Sequence, residues 1–155
     1  MCIRDRLTND LAGDEYFSKL DFNDAFNQML FNDRARELTA MATVWGIYYW
    51  NRMNMGISIA SEIFQEAMEK LLEDIPNIKV ALDDVMIHTK SKDEGERILT
   101  QCLDRIRESG MTLNKEKCEF VKQEITFFGV TVSKDGVKPK KSKYEDLQNC
   151  DHPRQ

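Results

Sequence analysis

The spacing of apolar and polar residues changes along the chain, and each change marks an element. Residues 16–21 (Tyr-Phe-Ser-Lys-Leu-Asp) predict a short strand that ends on an acid. Residues 39–43 and 47–52 predict the two strands of a hairpin, with Gly46 at the turn. Over residues 59–75 the period becomes helical. Ala60, Ile63, Phe64, Ala67, Met68, Leu71, Leu72 and Ile75 share one face, glutamates lie opposite, and Pro76 stops the run. Apolar residues 78–82 and 85–89 flank Asp83-Asp84, which predicts a tight hairpin with two carboxylates at its tip. Ser91 and Glu94 stand at capping-box spacing and open a second helix. Its stripe is Ile98, Leu99, Cys102, Leu103 and Ile106, and Gly110 closes it. A strand over residues 125–132 and a turn at Asp135-Gly136 follow, and after Pro139 the chain turns polar.

This order predicts an α+β fold: an antiparallel sheet with two amphipathic helices packed on one face. The opposite face is expected to be free to carry a site. With 155 residues, 41% hydrophobic and 32% charged, the chain suits one compact, soluble domain. No run of eighteen apolar residues exists, and the first six residues carry charges where a signal peptide would be apolar. An intracellular protein with no membrane partner is expected. Cys2, Cys102, Cys118 and Cys150 form no Cys-x-x-Cys pair and have only His88 and His152 beside them, so free thiols are expected rather than a zinc site.

The net charge of −5 gives no overall basic footprint for nucleic acid, but it is unevenly spread. Glu62, Glu66, Glu69, Glu73 and Asp74 cluster mid-chain, whereas Lys115, Lys117, Lys122, Lys134, Lys138, Lys140, Lys141 and Lys143 crowd the last third. That basic end reads as a solvated lysine face or as a surface for a phosphate backbone. Adjacent carboxylates between apolar strands repel unless a cation or solvent is near. Asp21 has the same setting at the end of its own strand. If the strands are neighbours, the three acids converge at one sheet edge and suit two hard Mg²⁺ ions. Spacing alone leaves open that Asp83-Asp84 is only a turn.

Several motifs resemble one family. Phe17-Ser18-Lys19-Leu20-Asp21-Phe22, with Asp24-Ala25-Phe26 and Gln28, resembles the first carboxylate motif of reverse transcriptases. Tyr49-Trp50-Asn51-Arg52-Met53, Gly56, and Ser61-Glu62-Ile63-Phe64-Gln65-Glu66-Ala67-Met68 resemble the second motif, a loop and long helix. Val80-Ala81-Leu82-Asp83-Asp84-Val85 resembles the Tyr-x-Asp-Asp hairpin. Gly110-Met111-Thr112-Leu113-Asn114, Lys117-Cys118-Glu119-Phe120 and Thr126-Phe127-Phe128-Gly129 complete the series. Order and spacing are similar to the gypsy-type LTR retrotransposon enzymes, over residues 11–143.

The resemblance implies a polymerase palm that adds dNTPs to a primer 3′-hydroxyl. It implies Asp21, Asp83 and Asp84 as catalytic acids around two Mg²⁺ ions, with Mn²⁺ able to replace them, and the Phe22 backbone as a further ligand. Asp24, Ala25, Phe26, Met55 and Gly56 would meet the nucleotide, and Phe26 would exclude a 2′-hydroxyl. Without the family, Phe26 reads as a core aromatic. Gln65, Ala81, Phe128 and Gly129 would lie near primer and template. The implied partners are an RNA or DNA template with primer, dNTPs, and the remaining Pol polyprotein with fingers, thumb and RNase H. The implied location is the cytoplasm or a virus-like particle.

The chain departs from the pattern at three points: Ala81 replaces the tyrosine, Asn54 stands in the Pro-Phe-Gly position, and Ser61 replaces a helix-start proline. Residues 1–10 read as a leader or residual fingers segment, with 1–6 foreign in character, and residues 144–155 as a polar tail that starts a truncated thumb or connection. Two rivals remain: an inactive or co-opted nucleic-acid-binding palm, and another palm enzyme such as a nucleotide cyclase. The stretch from Gly110 to Gly129 weighs against the cyclase.

Overall fold

A computed structural model describes Leu11 and residues 13–139 of the chain. The leader, the polar tail, Cys2, Cys150, His152, Lys140, Lys141 and Lys143 lie outside the described residues. The elements in order are β1 (Tyr16–Asp21), a 3₁₀ turn (Ala25–Gln28), α1 (Asp33–Leu38), β2 (Met41–Thr43), β3 (Gly46–Tyr48), α2 (Ala60–Leu71), β4 (Ile78–Ala81), β5 (Asp84–Thr89), α3 (Lys92–Glu108), β6 (Glu119–Lys122), β7 (Glu124–Phe127), β8 (Val130–Ser133) and β9 (Gly136–Pro139). None of these helices is long and apolar enough to cross a membrane.

The central sheet runs β4-β5-β1-β6, and the register gives antiparallel pairing of β1 with β5, β1 with β6 and β4 with β5. Alternation sends Leu20, Val85 and Ile87 to one face, where Phe64, Met68 and Leu72 join Ile98, Leu99, Cys102 and Ile106 in the main core. Both helices therefore cover one face of the sheet, as their stripes predict. Ser91 caps α3 by accepting from the Glu94 N–H at 3.3 Å. At the other end, Gly110 (φ 76) donates to the Arg107 carbonyl and Met111 to the Ile106 carbonyl, a Schellman closure. Arg105 ties the helices together by donating to the Leu71 carbonyl at 3.2 Å.

The opposite face is not free. Phe17 and Met86 point there and pack with Leu11, Ile125, Phe127, Val130 and Val132, which come mostly from a second sheet of order β7-β8-β9. The expected single strand over 125–132 is two strands. Phe128 (φ 46) and Gly129 (φ 73) both take positive φ and make a two-residue hairpin turn between Phe127 and Val130. Likewise Lys134 and Asp135 form the next turn, and Gly136 opens β9.

Three other expectations shift. The early hairpin is shorter than predicted and turns at Val44-Trp45, not Gly46. The Thr43 hydroxyl donates to the Gly46 carbonyl at 2.9 Å and accepts from the Trp45 N–H at 3.2 Å, closing that turn. The α2 helix ends at Leu71 rather than residue 75, and Ile63 on its stripe is half exposed. The short α1, capped by the Asn32 side chain on the Ala35 N–H at 2.9 Å, was not anticipated.

At the far end of the second face, the buried His88 Nδ1 and Asp14 Oδ2 stand 2.6 Å apart and fasten the incoming chain to β5. Near the main core's centre, Phe64 is fully buried and meets Phe22 and Phe26 edge-on at 5.3 and 6.1 Å. Replacing Phe64 with Ala should cost about 3–5 kcal/mol in a denaturant melt. A near-zero change would show that α2 does not pack as described.

Candidate active site

The pairing of β1 with β5 sets Asp21 directly opposite Asp84, Leu20 opposite Val85 and Lys19 opposite Met86. Asp21 and Asp84 therefore share one end of the face that does not carry the helices. Ala81 pairs with Asp84, which leaves Leu82 and Asp83 as the two-residue turn. Leu82 sits at φ 57, a region costing a side-chain-bearing residue on the order of 1–3 kcal/mol. Gln65 on α2 supports this turn: its Oε1 accepts from the Leu82 N–H at 3.4 Å while its Nε2 donates to Glu69 Oε1 at 2.8 Å. Asp83 is exposed, whereas Asp84 is half-buried.

The main chain around Asp21 is held on its other side. Asn114 N–H donates to the Asp21 carbonyl at 2.8 Å and Asn23 N–H to the Thr112 carbonyl at 3.1 Å, with Phe22 bridged to Leu113. Gln28 fastens the same segment twice. Its Oε1 accepts from the Thr112 N–H at 2.7 Å and its Nε2 donates to the carbonyls of Thr112 and Asn23. The Cys118 sulfur accepts from the Asp21 N–H at 3.4 Å. Burial raises the Cys118 thiol pKa and pushes that of Cys102 up to about 12, so both stay protonated and serve packing.

Charge at this edge is partly balanced. Lys19 Nζ lies 3.0 Å from Asp84 Oδ2, and Lys117 Nζ lies 3.8 Å from Asp21 Oδ1. Burial raises the Asp84 carboxyl above the usual range; Lys19 opposes that rise, and Asp83 and Asp21 add to it. The donor oxygens suit a hard divalent cation in kind. In arrangement they fall short: among the described residues, no group of three or more His, Cys, Asp or Glu side chains is placed to hold a metal ion. The expected three-acid convergence is thus a cross-strand pair, Asp21 and Asp84, with Asp83 beside it in the turn.

The remaining candidates divide. Phe22 is buried and Phe26 half-buried, both edge-on to Phe64, so the Phe26 ring has the core contact expected of it without the family. Asp24 is exposed at φ 48, ψ 50 and heads the 3₁₀ turn, and Ala25 behind it is buried. Arg52 donates to the carbonyls of Asn27 and Gln28 at 3.3 and 3.2 Å, linking the second motif to the first. Met55 is exposed, Gly56 takes φ 96, and the buried Asn54 Oδ1 has no partner. Ala81 packs against the second core, and the half-exposed Phe128 forms a turn with Gly129. Of the basic end, Lys122 pairs with Glu119 and Lys138 with Asp135, exposed contacts in keeping with a solvated face. Lys19 and Gln28 are the partners that sequence reading missed. The signal for Lys19 was its place two residues before Asp21, hence on the same strand face.

A family model described as reverse transcriptase (RNA-dependent DNA polymerase) matches residues 2–132. The chain is 30% identical over 151 residues to the Retrovirus-related Pol polyprotein from transposon 412 of Drosophila melanogaster, covering 96% of this chain and 12% of that protein. It is 30% identical over 141 residues to the corresponding polyprotein from transposon gypsy of the same fly, covering 90% of this chain and 14% of that protein. Among solved structures, the foamy viral protease-reverse transcriptase in complex with RNA/DNA hybrid superposes with a TM-score of 0.86 at 24% identity. That match covers 99% of this chain and 21% of that one. A second foamy viral structure, in complex with double-stranded DNA, gives 0.84 at 25% identity over 96% of this chain and 26% of that one. The chain thus spans a small part of each relative's length.

The raised Asp84 carboxyl fixes the sign of a pH effect. A folded-state pKa above the unfolded value means that folding favours the protonated acid. Its contribution to stability is full below the unfolded value of about 3.9 and is lost as pH rises through the folded value. Asp84→Asn should remove that part of the pH dependence and raise the melting temperature near neutral pH in metal-free buffer. Wild-type and variant melting curves that stay parallel across this range would contradict the assignment.

Proposed function

The chain belongs to the reverse transcriptase (RNA-dependent DNA polymerase) family, and from that premise we propose that it is the palm of a gypsy-type LTR retrotransposon polymerase. In this reading the longer protein copies an RNA or DNA template by adding dNTPs to a primer. The observation that carries the reading is the opposition of Asp21 and Asp84 across β1 and β5, beside the Leu82-Asp83 turn. The foamy viral neighbours, whose structures include an RNA/DNA hybrid and double-stranded DNA, support a primer-template as partner. The Pol polyprotein relatives support a longer parent; that this parent carries fingers, thumb and RNase H and works in the cytoplasm or a virus-like particle is part of the proposal.

Asp21, Asp83 and Asp84 would supply oxygens to two Mg²⁺ ions, or Mn²⁺ in their place, with the Phe22 carbonyl as a further donor. When bound, such ions stabilise charge on the attacking and leaving oxygens of phosphoryl transfer. The chain's own part is positional. Asn114 and Cys118 hold the Asp21 main chain, Gln28 ties the neighbouring Asn23 carbonyl to Thr112, and Gln65 supports the turn that carries Asp83. Main chain near Asp24 and Ala25 would meet the triphosphate, and Met55 and Gly56 would line the nucleotide pocket. The Phe26 ring, fixed against Phe64, would exclude a 2′-hydroxyl. Ala81, Gln65, Phe128 and Gly129 would face primer and template.

A second reading, a folded but silent remnant, is favoured by Ala81 in the tyrosine position and by the unpartnered Asn54 Oδ1. The two readings separate in the full-length parent. Asp21→Asn, Asp83→Asn and Asp84→Asn should each remove most template-directed incorporation without loss of fold, because asparagine keeps the shape but not the charge. Ala81→Tyr should leave incorporation equal or higher. Wild-type incorporation by Asp83→Asn would refute the catalytic assignment, and a wild-type parent inactive until Ala81→Tyr is made would favour the remnant. Robust incorporation by this chain alone would contradict the palm-fragment reading.

A further inference from the structure

We propose that Lys19 is a tethered cation standing in for a divalent metal at the acidic edge, so that metal binding has to break the Lys19–Asp84 ion pair. The inference rests on the reading of Asp21, Asp83 and Asp84 as metal-binding carboxylates. Lys19 precedes Asp21 by two residues on one strand, so both side chains leave the same face. Its Nζ is 3.0 Å from Asp84 Oδ2, and each side chain is only 18% exposed. The i,i+4 pair of Lys70 with Glu66, by contrast, is 71% and 66% exposed. An enclosed pair escapes most of the salt screening that weakens exposed ones.

This placement sets a positive charge against the cross-strand acid pair. With Lys19 on Asp84 and the more exposed Lys117 near Asp21, two tethered positive charges face the three acids. That balance limits like-charge repulsion in the metal-free fold, and it engages an Asp84 oxygen that a metal ion would need. A divalent ion entering between Asp21 and Asp84 meets the Lys19 ammonium as a competitor. The displaced side chain has somewhere to go: Glu119 on β6 is the direct cross-strand partner of Lys19 and, among the described residues, pairs with the exposed Lys122 at 3.4 Å. Metal affinity is thereby traded for stability without metal.

The test is Mn²⁺ binding to the metal-stripped full chain, measured by electron paramagnetic resonance, with melting temperature read beside it. Lys19→Met removes the charge and keeps the length; Lys19→Arg keeps the charge; Lys19→Gln replaces Met if that variant does not fold. The neutral variant should bind Mn²⁺ roughly three- to tenfold more tightly, the gain expected from removing a partly buried competing charge. It should also melt lower without metal and gain more on Mn²⁺ addition, whereas Lys19→Arg should behave as wild type. Equal affinity and equal gain for wild type and the neutral variant would overturn the proposal while leaving the acidic site standing. If neither binds Mn²⁺, or if Asp84→Asn binds as tightly as wild type, the reading of the site itself falls and the proposal falls with it.

Discussion

The antiparallel register of β1 against β5 is the constraint on which the remaining structure depends. It places Asp21 against Asp84 and at the same time sends Leu20, Val85 and Ile87 into the helix-covered core. Because strand side chains alternate with a period of two, these outcomes cannot be separated. A slip of one residue in β1 would bury Asp21 and Lys19 and expel Leu20. Burial of the apolar set therefore holds the acids at the edge, although their mutual repulsion opposes that placement. The site is stabilised from the opposite face of the sheet.

The supports around this register come from distant parts of the chain, and each acts on the main chain. Thr112 and Asn114 bond the Asp21–Asn23 stretch, and Gln28 doubles that link with its side-chain amide. Gln65 reaches from α2 to the Leu82 N–H, where the backbone is at positive φ. Strain of this kind persists only where the surroundings over-determine the conformation. Rigid placement of backbone and carboxylates suits the proposed polymerase function, in which the palm would contribute position and charge rather than a nucleophile of its own.

Much of this was legible in sequence, for identifiable reasons. The helices announced themselves through 3.6-residue periodicity, and the capping box at Ser91 and Glu94 marked the start of α3. Asp21 and Asp83-Asp84 stood out as acids interrupting apolar strands. The second sheet did not stand out, because residues 125–132 are continuously strand-forming and only Gly129 hints at a turn. Phe128 at positive φ is a conformation that no propensity favours. The exposure of the β2–β3 hairpin was equally hidden. Val44, Trp45 and Ile47 are 89%, 84% and 64% exposed, although their composition reads as core. The Lys19–Asp84 pair needs the register before it can be seen, since 65 positions of chain separate its members.

Paramagnetic broadening by Mn²⁺ tests the central claim most directly, because it maps where a cation sits without reference to catalysis. In an isotope-labelled sample of the chain, the amide signals of Phe22, Asp83 and Asp84 should broaden first. Those of His88, at the far end of the same face, should persist. Broadening that begins instead at Glu62, Glu66 and Glu69 on α2, or that spreads evenly over the surface, would contradict an active site at the paired ends of β1 and β5.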